Sequence, residues 1–345
     1  MSTYRQAGVD IEAGDRLVKA IASDVTSTWT DSVVGGFGGF AAGIEIPPGY
    51  RRPVLMMSTD GVGTKIEVAR RARIMDGLGH DLVAMCVDDL AAVGAKPLAF
   101  TDYLATGRID PTRDERLVGS IARACQIAGC ALLGGETAEH PGVMAPEHFD
   151  LAGAALGIVE RGEEIDGSSI ELGDVIIGVA SPNLRSNGFS LIRSIFDLGN
   201  LSDPFPGEPT RTTGEVLTEP SVIYAPSIQA VITTGHVTGL AHISGGGLPG
   251  NAGRPLSGGL SAHIDPSSWR PPNVFAVVQA TGGISTAEMF ATFNMGIGFV
   301  VYARPGAYPE ISATLLDHSH PSFVIGEVTR GHSVVAIDGM PTESV

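Results

Sequence analysis

The chain of 345 residues is poor in several residue types that mark particular classes of protein. It has three cysteines, Cys86, Cys125 and Cys130, and it contains neither a CxxC pair nor an HExxH sequence. A disulfide framework and a zinc site are therefore not expected. This cysteine usage predicts a reducing compartment, which we take to be the cytoplasm.

Long apolar segments are also missing from the sequence. The first residues, MSTYRQAGVD, lack the apolar centre that a signal peptide requires. No uninterrupted apolar run approaches the roughly 20 residues needed to cross a bilayer. The sequence thus predicts neither secretion nor insertion into a membrane.

Positive charge is scarce, because 22 lysines and arginines stand against 38 aspartates and glutamates. The formal net charge is −16 at pH 7. Such a surface repels phosphate backbones and anionic lipids at long range. Nucleic acid and membranes are therefore not expected as partners.

Length and patterning indicate a two-domain chain of mixed α/β class. With 345 residues, 43% of them hydrophobic, the chain exceeds one ordinary core. The polar stretch 161–174 predicts a boundary between residues 165 and 166. Periodicity predicts strands at 53–57, 174–180 and 296–304, helices at 79–97, 112–129 and 186–199, and a loop at 200–220. Helix caps are expected at Asp81 and at Thr112, which with Glu115 forms a capping-box pattern.

The segment STDGVGTK, residues 58–65, follows an apolar strand and contains one of only three lysines in the chain. A carboxylate and a lysine presented by glycines suit a nucleotide phosphate and its Mg²⁺. Asp60 would face the metal and Lys65 the phosphate. A surface turn with an incidental ion pair is the alternative for this segment.

Two further acidic segments have the same character. Asp88 and Asp89 are adjacent in the predicted helix 79–97, where buried acids would need a partner such as a cation. One of the two, Asp88 rather than Asp89, could instead lie on the wet face. In 130–142 an apolar strand leads into two glycines, followed by Glu136, Glu139 and His140. Oxygen ligands without a zinc pattern favour Mg²⁺ bound with ATP.

The glycine-rich segment GGFGGF, residues 35–40, loosely fits a dinucleotide-binding pattern. That pattern requires a long helix directly after the glycines, whereas Pro47, Pro48 and Gly49 follow within a few residues. The segment is therefore interpreted as a flexible loop or turn rather than as a dinucleotide site.

Taken in chain order, DGVGTK, GHDLVAMCVDDL, GGETAEHPG, RSNGFSL and AHISGGG resemble the aminoimidazole ribonucleotide synthetases, also called phosphoribosylformylglycinamidine cyclo-ligases. The strings AGVDIEAGDRLV, GGFGGF, TDYLATGRIDP and TFNMGIGF fit the same family. The resemblance therefore spans nearly the whole chain.

The resemblance implies that formylglycinamidine ribonucleotide and ATP give aminoimidazole ribonucleotide, ADP and phosphate. ATP would phosphorylate the formamide oxygen, and an amidine nitrogen would then close the imidazole ring. The resemblance also implies a homodimer whose N-terminal sheets join in a barrel. Residues 1–165 would form the ATP-binding, metal-binding and dimerisation domain, and residues 166–345 an α/β domain that completes the substrate site.

Individual roles follow from the matching motifs. Coordination of Mg²⁺–ATP is expected from Asp60, Asp88, Asp89 and Glu136. Further ATP contacts are expected from Gly36, Gly38, Gly39 and Lys65, and catalysis from Asp60, Lys65 and His242. Contacts with the ribonucleotide substrate are expected from His140, Arg185, Ser186, Asn187, Gly188, Gly245 and Gly246. His140 could equally have a structural role, and Asn187 could cap a helix.

The chain also departs from the family pattern. Arg185 stands where relatives usually have a histidine, and arginine cannot exchange a proton near pH 7. Residues 23–34 contain no basic residue where the family commonly has a lysine. After the triple glycine, the family's proline is missing between Asn251 and Arg254. Two alternatives therefore stay open: a diverged paralog that uses ATP on a different amide or small acceptor, and a non-catalytic nucleotide-binding subunit.

Overall fold

The structure is a computed structural model that describes residues 8, 10–331 and 335–340. Most of the segment on which the signal-peptide expectation rests lies outside these residues. Within the described residues, no helix is both long enough and apolar enough to cross a membrane.

The helices and strands alternate along the chain. The first part contains α1 (Ile11–Thr26), β1 (Val33–Val34), β2 (Gly43–Ile44), β3 (Pro53–Gly61), α2 (Lys65–Ala72), α3 (Leu78–Ala92), β4 (Lys96–Thr106), α4 (Pro111–Ala128), β5 (Ala131–Glu139) and β6 (Phe149–Glu160). The second part contains β7 (Val175–Ala180), α5 (Phe189–Ile195), β8 (Pro204–Phe205), β9 (Glu208–Thr212), α6 (Thr213–Leu217), α7 (Ala225–Ile232), β10 (Val237–His242), α8 (Gly247–Ala252), β11 (Leu260–Ile264), α9 (Asn273–Gly282), α10 (Thr286–Thr292), β12 (Ile297–Ala303), α11 (Tyr308–Asp317), β13 (Ser322–Arg330) and β14 (Val335–Ile337).

Two larger sheets organise these elements. The first has the strand order β3-β6-β4-β5, with β4 and β5 parallel and the other pairs antiparallel. The second has the order β10-β12-β7-β13-β11-β14, and β11 and β14 are its parallel pair. Each sheet takes its strands from one side of residues 165 and 166. One buried hydrophobic cluster nevertheless joins α3 and α4 with β7 and α7, so the division into two domains stays a prediction.

The predicted helices 79–97 and 112–129 correspond to α3 and α4, but their caps differ from the prediction. α3 begins after Gly77, and Asp81 lies buried inside its first turn. Asp110 caps α4 by accepting hydrogen bonds from the N–H groups of Thr112 and Arg113. The capping-box pattern was misleading because Pro111 takes the first helical position, which places the cap at Asp110, two residues before Thr112.

Strand lengths also differ from the sequence pattern. β3 extends beyond the predicted 53–57 to include Asp60, and β5 includes Gly134, Gly135 and Glu136, which were expected in a loop. Pairing with neighbouring strands carries both segments past their apolar runs. α5 is shorter than the predicted 186–199, and 200–220 contains β8, β9 and α6 rather than only a loop.

The register of the first sheet sets which side chains share a face. Asp60 lies opposite Gly153, Gly153 opposite Asp102, and Asp102 opposite Gly135. Asp60 and Asp102 are therefore two strands apart in one row, roughly 10 Å at the usual strand spacing. Because successive residues alternate between faces, Tyr103 points to the other side of the sheet.

Candidate active site

The centre of the candidate site is a contact between a helix and the end of a strand. α3 carries Asp89, and β10 ends at His242, whose Nδ1 lies 2.8 Å from Asp89 Oδ1. The Ser58 hydroxyl donates to the other Asp89 oxygen at 3.4 Å. Phe299 stacks against the imidazole, with ring centroids 6.1 Å apart. These contacts hold the His242 ring in one orientation.

The second nitrogen of His242 has no such partner. Nε2 is buried and makes no hydrogen bond among the described residues. An ionised carboxylate can only accept, so Nδ1 carries the proton toward Asp89, and Nε2 is the acceptor in the neutral imidazole. A buried polar atom left unpaired costs roughly 1–3 kcal/mol, which is typical of an atom that a ligand or water completes.

Asp60 and Asp89 differ in the direction of their pKa shifts. Burial, and secondarily the nearby charge of Asp89, raise the pKa of the Asp60 carboxyl, although Gly61 N–H donates to it at 2.7 Å. Burial acts to raise the pKa of Asp89 as well, but the hydrogen bond and charge of His242 hold it below its usual value. Two neighbouring carboxylates of this kind are stabilised together by a cation.

We call the surroundings of Asp60, Asp89 and His242 the cleft. The Lys65 ammonium group is directed to other residues, contrary to the prediction that it contacts a phosphate. It is fully buried, and its Nζ donates to Asp81 Oδ1 at 2.8 Å, to the Arg185 carbonyl at 2.9 Å and to the Glu219 carbonyl at 2.7 Å. An ammonium group has three N–H bonds, so none is left for a ligand. Lys65 therefore ties α2 to α3 and to two segments of the second part of the chain.

The alternative in which Asp88 lies on the wet face of α3 is wrong, and its predicted role in metal binding stays a prediction. It is fully buried, and its Oδ1 accepts from the N–H groups of Tyr224 and Ala225 at 2.8 and 2.9 Å. Its Oδ2 accepts from Arg185 Nη2 at 2.7 Å. Asp88 thus holds the start of α7 and pairs with a buried arginine, while Asp89 faces the cleft.

Arg185 points into the interior rather than toward a substrate. Its side chain is fully buried, its guanidinium carbon lies 4.8 Å from the centre of the Tyr224 ring, and its φ of 57° is left-handed. Nε and Nη1 have no hydrogen-bond partner among the described residues. Through its contact with Asp88, the Arg185 side chain connects the two parts of the chain. It does not point toward the predicted substrate site.

The residues after Arg185 do approach the cleft. The Ser186 hydroxyl donates to the Val62 carbonyl at 2.7 Å, in the turn that follows Asp60. Gly188 precedes α5 with a φ of 77°, and a Cβ there would lie 2.3 Å from the Phe293 ring. A side chain at position 188 is therefore excluded by both backbone conformation and packing.

Asn187 lies beside the glycine segment that follows His242. A Cβ on Gly245 would be 3.6 Å from the Asn187 amide nitrogen, and Gly246 has a φ of 92°. The predicted substrate segments 186–188 and 245–246 are thus close together. Their role in binding a substrate stays a prediction.

A cavity of about 610 Å³ lies between α1, the glycine segment 36–39 and strands β4 and β5. Gly36, Gly38 and Gly39 line it, together with Glu136. Glu136 pairs with Tyr103 in the sheet register, and the Tyr103 hydroxyl lies 3.0 Å from His140 Nε2. Glu136 therefore belongs to the cavity, whereas His140 contacts Tyr103, which points to the other side of the sheet from Asp102.

The predicted set of four metal-binding carboxylates is consequently divided. Asp60 and Asp89 meet, Asp88 is sequestered, and Glu136 lies at the cavity. In the part of the chain that the structure describes, no group of three or more His, Cys, Asp and Glu side chains is arranged to hold a metal ion. The pair of carboxylates fits Mg²⁺, which usually takes one or two carboxylates and completes its shell with phosphate oxygens and water.

Sequence reasoning missed two residues near these sites. Ser58, next to the predicted Asp60, contacts Asp89. Asp102 lines the cavity and is only 9% exposed. A single carboxylate inside the apolar stretch PLAFTDYLA was the available signal for Asp102, because a lone buried acid needs an explanation.

Comparison with known proteins identifies the family to which this chain belongs. The family of AIR synthase related proteins matches through its N-terminal domain at residues 41–159 and its C-terminal domain at residues 171–339. Curated relatives named phosphoribosylformylglycinamidine cyclo-ligase include one from Picosynechococcus sp., 45% identical, covering 96% of this chain and 98% of the relative. Another, from Synechocystis sp., is 47% identical and covers 88% of this chain and 89% of the relative. The chain belongs to the AIR synthase family.

Solved structures with the same fold have much lower sequence identity. Thiamine-monophosphate kinase from Stenotrophomonas maltophilia K279a superposes with a TM-score of 0.71 at 20% identity, covering 94% of this chain and 96% of the kinase. The hydrogenase maturation protein HypE in complex with ATP gives a TM-score of 0.68 at 15% identity, covering 97% and 93% of the two chains. At these identities the similarity shows the fold.

Proposed function

We propose that this chain is an ATP-dependent cyclo-ligase of purine biosynthesis, which converts formylglycinamidine ribonucleotide to aminoimidazole ribonucleotide with release of ADP and phosphate. The observation that carries this proposal is 45% identity, over 96% of the chain, to a protein named for that activity. The Asp60–Asp89–His242 cleft supports it, because phosphoryl transfer and ring closure need a cation site beside a proton acceptor.

Asp60 and Asp89 are proposed to hold Mg²⁺ with the phosphates of ATP. When bound, the ion supplies charge neutralisation for the transferred phosphoryl group. Burial and the charge of Asp89 both raise the pKa of Asp60, so a cation bound beside the two carboxylates would favour the charged form of Asp60. Lys65 has a supporting role in this proposal, because its three hydrogen bonds hold the turn beside Asp60.

His242 is proposed to accept the proton that the amidine nitrogen loses as it attacks the activated carbon. The free acceptor is Nε2, and the Asp89 carboxylate would stabilise the resulting imidazolium through Nδ1. Segment 245–246, which follows His242, and segment 186–188, which lies beside Gly245, are proposed to bind the ribonucleotide. Glu136 is proposed to contact ligand at the cavity, and the substrate contact of His140 stays a prediction.

The direct test is ADP release by the purified chain with and without formylglycinamidine ribonucleotide. A cyclo-ligase is expected to release ADP only when the ribonucleotide is present, with one aminoimidazole ribonucleotide formed for each ADP. ADP release that ignores this ribonucleotide but responds to another acceptor would identify a diverged paralog. Nucleotide binding without any turnover would identify a non-catalytic subunit.

A homodimer is also proposed, through the face of the first sheet that α3 and α4 do not cover. Leu55, Met57 and Tyr103 share that face and are 50%, 75% and 39% exposed. Strands β3 and β5 are the two edges of this sheet. An apolar face with open edges is stabilised when a second copy covers it.

A cytoplasmic location is proposed as well, since all three cysteines are free and buried.

Met57→Lys is expected to shift this dimer toward the monomer, because it places a charge in an apolar interface. Light scattering should give twice the 35.6 kDa chain mass for the unaltered protein and a lower mass for the variant. Ile127→Lys is the matched control, since Ile127 is 53% exposed on α4, on the other side of the sheet. A mass near 35.6 kDa for the unaltered protein at micromolar concentration contradicts the proposal.

A further inference from the structure

The proposed mechanism leaves Asp102 without a role. This residue is 9% exposed and lines the cavity beside the glycine segment. Within residues 10–331, its carboxyl has no hydrogen-bond partner other than its own backbone amide, and burial raises its pKa to about 7. A buried carboxyl without a partner is costly, so its presence in the cavity wall points to a ligand.

The packing around Asp102 keeps the carboxyl free. A Cβ on Gly135, its neighbour in the sheet register, would lie 2.1 Å from Asp102 Oδ1. Any other residue at position 135 would therefore displace the carboxyl from the wall. Because Gly135 has no side chain, it leaves space for the Asp102 carboxyl, although a glycine inside a strand weakens the strand.

The cavity has an apolar inner wall and an open outer wall. Val25 and Val118, which line the cavity with Asp102, are 3% and 2% exposed. Phe40 and the glycines at 36, 38 and 39 are exposed. A planar base suits the inner wall, whereas a charged triphosphate suits the open side, where the glycines are exposed.

We propose that Asp102 recognises the base of the nucleotide, accepting a hydrogen bond from the exocyclic amino group of an adenine seated against the inner wall. This inference rests on the proposed function, because it takes ATP as the nucleotide. The carboxylate accepts from the amino group, and the protonated acid can both accept there and donate to the adjacent ring nitrogen. A purine without the amino group would leave the carboxyl buried and unpaired, which is how a polar pocket rejects an analogue.

The test is equilibrium binding by titration calorimetry on the full chain with MgCl₂ and no second substrate. The ligands are ATP, purine riboside triphosphate, which lacks the 6-amino group, 2′-deoxy-ATP and GTP. The unaltered protein is expected to bind ATP about tenfold to a hundredfold more tightly than purine riboside triphosphate, as one buried hydrogen bond implies. Asp102→Leu should remove this preference, and Asp102→Asn should retain it because the amide oxygen accepts the same hydrogen bond.

Thr137→Val is the matched control, since Thr137 lines the same cavity without a carboxyl. It should keep the preference for the 6-amino group. Thermal unfolding of each variant confirms that it is folded, and Asp102→Asn provides a second readout if Asp102→Leu does not fold.

Each other outcome contradicts the inference in a distinct way. An unchanged 6-amino preference in Asp102→Leu excludes base recognition by Asp102. Loss of discrimination against 2′-deoxy-ATP instead would assign the carboxyl to the ribose, and tighter binding of GTP would assign it to guanine. If the unaltered protein binds none of the nucleotides, the proposed function itself fails, and the inference fails with it.

Discussion

His242→Ala is expected to lower kcat for ring closure by about a hundredfold to ten-thousandfold, the usual contribution of a positioned general base. The reason is that Nε2 is the acceptor beside the paired carboxylates, while Asp89 holds Nδ1 at 2.8 Å. The effect should appear in kcat with little change in the affinity for Mg²⁺–ATP. Steady-state formation of aminoimidazole ribonucleotide, combined with nucleotide binding, measures both quantities.

Two further variants test whether the loss of kcat is specific to His242. Asp89→Asn should lower kcat and also weaken binding of Mg²⁺–ATP, because it removes a charge from the pair with Asp60. His236→Ala is the control, since His236 is partly exposed and pairs with Glu310 away from the cleft. Unchanged kcat in His242→Ala would show that another group accepts the proton. Unchanged Mg²⁺–ATP affinity in both Asp60→Asn and Asp89→Asn would exclude the proposed metal site.

Asp88→Ala is expected to destabilise the protein by about 3–5 kcal/mol, because it leaves the Arg185 guanidinium buried without a counter-charge. It also removes the acceptor for two N–H groups at the start of α7. Urea denaturation followed by circular dichroism measures the free energy of unfolding. In the double variant Asp88→Ala with Arg185→Met, part of the loss should be recovered, since no unpaired charge remains.

Asp76→Ala is the matched control for this prediction. Asp76 Oδ2 accepts from Arg116 Nη2 at the same 2.7 Å, but the two side chains are 57% and 46% exposed. Water replaces the lost partner there, so the expected cost is below about 1 kcal/mol. Equal losses for Asp88→Ala and Asp76→Ala would contradict the structural role assigned to Arg185.

Hydrophobic periodicity was sufficient to predict most of the helices and strands around the site. The pattern of apolar residues predicts α3 and α4, and continuous apolar runs predict β7 and β12, because each element buries its own face. The boundaries were less predictable. β5 continues through Gly134 and Gly135 because β4 supplies its hydrogen-bond partners, and no residue within β5 encodes that.

The candidate site was predictable in part from the types and order of its residues. Asp60 and His242 stood out beside glycine segments, and Asp89 stood out as an acid inside an apolar helix. The structure brings these three together. Asp102 was overlooked because its significance depends on being buried without a partner beside a cavity. Burial of that kind is a property of the assembled layers.

The amino-acid sequence alone determined the family of this protein, its mixed α/β class and the residues from which a site could be built. Only the tertiary structure decided which of those residues lie at the candidate site and which are buried as structural contacts. Asp88 and Asp89 are neighbours, yet about 100° of helical rotation turns one toward Arg185 and the other toward His242. Lys65 and Arg185 became internal anchors because segments 97 to 154 residues away supply their partners. Such partners form only when the two sheets pack around α3.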